Sequence, residues 1–96
     1  METATFAAEG IADAADAFRA LDGVHATRVG HIEDPACEAL EVDFDPWRVS
    51  FDDLLDVLLQ RVTIYPHTVE QHVAASGRPL AEIAPAAGRF VPSAPS

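Results

Sequence analysis

The chain has 96 residues, of which 49% are hydrophobic and 23% charged, and its formal net charge is −10 at pH 7. This length and composition predict one globular domain with a single modest core and exclude a disordered chain. The strong negative charge makes nucleic acid and anionic membrane surfaces unfavourable partners.

The first half of the chain predicts a strand, a helix and two further strands. Residues 3–8 are a candidate strand, and apolar side chains at helical spacing predict a helix from Ile11 to Gly23. Residues 24–32, rich in β-branched side chains, predict a second strand. The alternation over residues 37–45 is the strongest strand signal of the chain. Its apolar face consists of Leu40, Val42 and Phe44.

The second half predicts two shorter repetitions of helix and strand. A capping box at Ser50 opens a helix, and residues 62–65 suit a fourth strand. A second capping pattern at Thr68 opens a helix that ends at Gly77. Residues 80–83 then predict a last short strand.

The order of these elements predicts the fold class. It is an α/β (α+β) arrangement of the ferredoxin-like βαββαβ type, a two-layer sandwich with a short appended helix and strand. We expect a single domain over residues 1–85. Residues 86–96 are predicted to form an irregular C-terminal tail.

Seven segments of the chain, in one order, resemble a known family. They are ATFA at 4–7, AFRALDGV at 17–24, TRVG at 27–30, EALEVDFDP at 38–46, VSFDDLLDV at 49–57, IYPHT with EQ at 64–71, and AEIAPAAGRF at 81–90. Together they resemble the peptide methionine sulfoxide reductase A family. The resemblance implies a reductase of the S-epimer of methionine sulfoxide that needs no cofactor. In that family a thiolate attacks the sulfoxide sulfur and a glutamic acid protonates the oxygen.

At the family's functional positions, however, this chain departs from the pattern. The resemblance places Gly10 at the nucleophilic cysteine, with Ile11 and Ala12 at the phenylalanine and tryptophan that follow it. His31 stands at the tyrosine after Arg-Val-Gly. The family's Gln-Tyr-Arg-Ser loop has no counterpart beyond residues 60–61, and no resolving cysteine is present. The chain is therefore expected to be a degenerate, truncated pseudoenzyme.

Glu38 matches the family's catalytic glutamic acid. Its parity places it on the apolar face with Leu40, where a partly desolvated carboxyl group would suit a proton donor if any activity remains. A position at the strand's water-exposed start is the alternative, and both stay open. An acid without a nucleophile cannot complete the reaction, although it could bind a ligand oxygen. The candidate ligand-binding residues are Gly10, Ile11, His31 and Glu38.

Cys37 is expected to be inert, and the histidines are expected to bind no metal. Strand alternation turns Cys37 away from Glu38, and the sequence places no helix N-terminus or base beside it to activate the thiol. His67 and His72 are five residues apart, so they do not share a helix face as metal ligands would. No metal site is predicted among these or the remaining histidines, His25 and His31.

Three classes of function stay open for the chain. The first is a surviving enzyme that uses Cys37 and Glu38. The second is a module that binds a methionine-like or other small polar ligand in a shallow pocket around Gly10, His31 and Glu38. The third is an interaction protein that binds a protein partner or forms a homodimer through a free sheet edge. A single cysteine, no signal-peptide pattern and no apolar run of roughly 20 residues indicate a soluble, cytoplasmic protein.

Overall fold

A computed structural model describes residues 1–33, 36–84 and 88–93 of the chain. Its strands are β1 (Glu2–Ala7), β2 (Val24–Ile32), β3 (Cys37–Phe44), β4 (Val62–Ile64), β5 (Ala81–Ile83) and β6 (Phe90–Pro92). Its α-helices are α1 (Ala15–Arg19), α2 (Phe51–Val57) and α3 (Val69–Ser76), and a 3-10 helix, Ile11–Ala14, leads into α1. Over these residues the protein is a mixed α+β structure, as the sequence predicts.

The six strands within the described ranges form one sheet in the order β5-β4-β1-β3-β2-β6. All neighbours are antiparallel except β4 and β5. The register sets Phe6 opposite Leu40, and His31 opposite Glu38. Because directly opposed residues of paired strands share a face, this register decides which side chains meet the helices and which do not.

One face of the sheet, called here the covered face, packs against the helices. Phe6 of β1 is fully buried and stacks on Phe18 of α1 and Phe51 of α2, with ring centroids 5.4 Å and 5.9 Å away. The prediction that alternate residues of β3 form an apolar face is confirmed. Those residues, Leu40, Val42 and Phe44, are fully buried in the same core.

Both predicted helix caps are present. The Ser50 hydroxyl accepts the Asp53 N–H at 3.0 Å, and the Asp53 carboxylate accepts the Ser50 N–H at 3.0 Å, which completes the capping box. At α3 the Thr68 hydroxyl accepts the Gln71 N–H at 3.1 Å. Among the helices of the described residues, none combines the length and apolar character that crossing a membrane requires.

The first predicted helix is shorter and more irregular than its apolar spacing suggested. It begins as a 3-10 turn, in which the Asp13 N–H bonds to the Gly10 carbonyl at 3.1 Å, and the α-helix ends at Arg19. Gly10 lies in the left-handed region at φ 78 and has no side chain to cap the helix. Gly23, at φ 103, directs the chain into β2 rather than ending the helix.

The prediction of an irregular tail from residue 86 onward is wrong for Phe90–Pro92. This segment pairs with β2, with Gly30 opposite Pro92 and Ile32 opposite Phe90. The pairing depends on Gly30, since a Cβ there would overlap the Val91 carbonyl oxygen. Residues 85–87 and 94–96, which include the predicted domain boundary and the end of the tail, lie outside the described residues.

Candidate functional site

The Gly10 turn, residues 8–14, joins β1 to the first helix. The Ile11 N–H donates to the Ala8 carbonyl at 3.2 Å, which closes the turn around Gly10. Gly10 itself is partly exposed, and a Cβ built on it would meet no atom within 4 Å. The position therefore has room for a side chain, although its left-handed backbone disfavours any residue but glycine.

Glu38 holds this turn from the neighbouring strand. Its carboxylate Oε2 accepts the Ala12 N–H at 2.9 Å, and its main-chain oxygen accepts the Ala8 N–H at 3.0 Å. Ala12 lies in the first turn of the 3-10 helix, where N–H groups lack partners within the helix. The half-buried carboxylate thus takes the place of the capping side chain that Gly10 lacks.

Three of the four predicted ligand-binding residues come together at this end of β3. His31 lies directly across from Glu38 on β2 and is exposed, and Gly10 lies within the turn that Glu38 holds. Ile11 differs, because its side chain is 1% exposed and packs into the core of the covered face. A ligand at these residues, and a proton-donor role for Glu38, stay predictions.

Cys37 lies on the other side of β3, as strand alternation predicts. It packs against a small apolar cluster of Ala7, Ile32 and Ala39, with Tyr65 and Phe90 at its border. Its sulfur therefore does not share a face with the Glu38 carboxylate. Over the described ranges, no three potential metal-ligating side chains lie together.

The uncovered side of the sheet carries a network of polar side chains that sequence reasoning did not predict. We call it the polar face, and its residues are Thr3, Thr5, Arg28, Glu41 and Asp43. The Arg28 guanidinium donates to Asp43 at 2.6 Å and 2.9 Å and to Glu41 at 3.2 Å. These bonds raise the pKa of Arg28 above its ordinary value, with the Asp43 bond first among the causes. The same guanidinium lowers the pKa of Asp43 to about 2.

The connection between β4 and α3 attaches to this network. The ring Nε2 of His67 lies 2.7 Å from the Thr5 hydroxyl oxygen. The side chain of Gln71, fully buried, accepts the His67 N–H at 3.0 Å and donates to the Thr3 carbonyl at 2.9 Å. The Gln71 amide thereby gives the Thr3 carbonyl of β1 a hydrogen-bond partner at a position where β1 is not paired with β4. Beside this connection lies a groove of about 1030 Å³.

Comparison with known proteins gives one partial similarity in sequence. No family model matches the chain. The peptide methionine sulfoxide reductase MsrA of Methanothermobacter thermautotrophicus is 44% identical to it over 71 residues. The chain is MsrA-like over part of its length. The match covers 58% of this chain and 42% of that relative, so the chain spans less than half of the relative's length.

Alternation along the strands of this MsrA-like chain offered a signal for the polar face. Thr3 and Thr5 share one parity on β1, and Glu41 and Asp43 share one parity on β3. Alternation alone did not show that these side chains form a network, because the partner of Glu41 depends on the strand register. That register places Arg28 opposite Glu41. No short-range pattern indicated that His67, more than sixty residues from Thr5, would reach the same network.

Proposed function

We propose that the chain is a non-catalytic MsrA-like domain with no reductase activity by the thiolate route. The observation that carries the proposal is the Gly10 turn, where the resemblance places the nucleophile and the chain has no sulfur. Covalent reduction of a sulfoxide requires a nucleophile that forms a bond to the substrate sulfur. Glycine has no side chain to form that bond.

The hydrogen bond of Glu38 supports the same proposal. Its Oε2 holds the Ala12 N–H at 2.9 Å. A carboxylate in this bond stabilises the first turn of the helix, which is a sufficient structural role for the residue. Cys37, on the opposite side of β3, is not a replacement nucleophile for chemistry beside Glu38.

We also propose that the fold is the ferredoxin-like βαββαβ sandwich. The supporting observation is the order β4-β1-β3-β2 within the sheet, with the connections through α1 and α2. Apolar side chains of both helices enter one core with those of β1 and β3. In this proposal α3, β5 and β6 are additions to the four-stranded unit.

The proposal is tested by a reductase assay with dithiothreitol as reductant and the S-epimer of methionine sulfoxide as substrate. We expect no turnover above a blank without protein, while an active reductase assayed in parallel turns the substrate over. The matched variant is Cys37→Ser, which removes the chain's single thiol. Turnover by the unaltered chain that disappears in Cys37→Ser would overturn the proposal and assign the reaction to Cys37.

A further inference from the structure

The groove on the polar face is a separate feature from the Gly10 turn. It runs between the sheet, the connection into α3 and the segments that flank β5 and β6. The residues that decide its chemistry are Thr5, Glu41, Tyr65, His67, His72 and Phe90. Gly10, His31 and Glu38 are not among the described residues that line it.

The electrostatic character of the groove is negative. Glu41 lines it, and the described lining residues include no arginine, while the chain contains no lysine. Arg28 approaches the Oε1 side of Glu41 at 3.2 Å but also pairs with Asp43 at 2.6 Å. One guanidinium therefore pairs with two carboxylates, and these three side chains together carry a net negative charge at the Glu41 side of the groove. The net charge of −10 on the whole chain also attracts cations and repels anions.

The hydrogen bonds of Thr5 indicate that His67 is a second hydrogen-bond acceptor in the groove, beside Glu41. Thr5 donates its hydroxyl hydrogen to Glu41 Oε2 at 3.1 Å. A hydroxyl has one hydrogen, so the contact of 2.7 Å with His67 requires the His67 Nε2–H to donate to Thr5. In a neutral imidazole this leaves Nδ1 as an acceptor. The exposed His67 ring thus offers a lone pair, and the Glu41 carboxylate offers charge.

Aromatic rings supply the apolar part of the groove. Tyr65 and Phe90 both line it, and both border the small cluster around Cys37. The π-faces of such rings attract cations and also pack against the apolar body of a ligand. Acceptors, negative charge and rings together suit a positively charged group attached to an apolar body.

We propose that this groove binds a small organic ammonium ion, namely a protonated amine on an aromatic or aliphatic body. The ammonium group donates to Glu41 and His67, and the body packs against Tyr65 and Phe90. The inference does not depend on the absence of reductase activity, because it concerns a different face of the sheet. A chain that reduced methionine sulfoxide could still bind an amine here.

Three probes that share a phenethyl body separate the effect of charge from that of the apolar body: phenethylamine, which is an ammonium at pH 7, neutral phenethyl alcohol, and anionic phenylpropionate. Each is titrated into the full chain labelled with ¹⁵N, and the amide signals are followed. We expect phenethylamine to shift the amides of Tyr65, His67 and Phe90, and to bind at least tenfold more tightly than the other two probes. Equal binding of all three, a preference for the anion, no binding of the amine, or shifts centred on Gly10 would overturn the proposal.

A pair of variants then tests the role of Glu41. Glu41→Gln keeps the size and an acceptor oxygen but removes the charge, so we expect the Kd of phenethylamine to rise at least tenfold. Glu9→Gln makes the same change at an exposed residue of the Gly10 turn and should alter the Kd less than twofold. Equal effects of the two variants would show a general charge effect and overturn the assignment. The three-probe comparison on the unaltered chain decides the matter independently if Glu41→Gln does not fold.

Discussion

The two faces of the sheet are built from the same strands, yet they carry different kinds of side chain. The covered face carries the apolar core and, at its end, the Gly10 turn that Glu38 holds. The polar face holds paired charges and the groove. Because neighbouring residues of a strand point to opposite faces, each face can change without the other. The proposed loss of the nucleophile on one side therefore says nothing about binding on the other.

The two faces also differ in how they contribute to stability. Phe6 on the covered face is fully buried in an aromatic stack, and burial of this kind dominates folding free energy. On the polar face the Arg28 side chain is 38% exposed and that of Asp43 24% exposed. Partly solvated ion pairs contribute much less. The contrast predicts large mutational effects on one face and modest, pH-dependent effects on the other.

The largest effect is expected from Phe6→Ala on the covered face. Removing a fully buried ring that stacks on Phe18 and Phe51 should lower the free energy of unfolding by about 3–5 kcal/mol. Urea denaturation followed by circular dichroism measures the loss. Trp47→Ala is the control, because Trp47 is 94% exposed and its loss should change stability by no more than about 0.5 kcal/mol. Similar losses in both variants would contradict the distinction between the faces.

A smaller effect, with a defined pH dependence, is expected from Asp43→Asn on the polar face. The hydrogen bonds from Arg28 lower the pKa of Asp43 from 3.8 to about 2 in the folded chain. A lowered pKa stabilises the fold above about pH 4, and this contribution is lost as the pH falls toward 2. Allowing for solvent screening of the exposed guanidinium, Asp43→Asn should cost about 1 kcal/mol at pH 6.

Urea denaturation between pH 6 and pH 2.5 measures this difference, which should shrink as the pH falls. The control is Asp22→Asn, whose carboxylate pairs with Arg48 but is 81% exposed. That variant should differ from the unaltered chain by less than about 0.5 kcal/mol throughout. A loss in Asp43→Asn that stays constant with pH would refute the role of the charged pair.

The smallest effect is expected at the Gly10 turn. Glu38→Ala removes the acceptor of the Ala12 N–H and should cost about 0.5–1 kcal/mol, with faster hydrogen exchange at Ala12. Glu38→Gln keeps an acceptor oxygen, so it should retain most of the stability and most of the protection of the Ala12 N–H from exchange. If exchange at Ala12 is the same in Glu38→Ala and in the unaltered chain, the capping role of Glu38 is refuted.

Much of the fold follows from short-range patterns. The β-branched residues of β2 predicted its bounds, alternation predicted the buried face of β3, and Ser50 with Asp53 predicted a cap that forms as expected. Each of these signals lies within a few residues of the structure it predicts. The positions of these elements could therefore be predicted from the sequence.

The remainder depends on contacts between distant parts of the chain. The 3-10 turn is held by Glu38, a carboxylate 26 residues away from Ala12. The polar face depends on a register that joins β1, β2 and β3, and the groove depends on how the connection at His67 returns to Thr5. Local propensity carries no information on such distances, so the turn's geometry and the groove could not be predicted.

Gly30 connects the edge of the sheet to the groove. A Cβ at this position would overlap the Val91 carbonyl oxygen and approach the Phe90 ring, so β6 pairs with β2 only while residue 30 lacks a side chain. Phe90 also lines the groove. If the groove binds the proposed ammonium ion against Phe90, pairing of β6 and binding of that ion are thermodynamically linked: the ligand favours the paired strand, and the paired strand favours the ligand to the same degree.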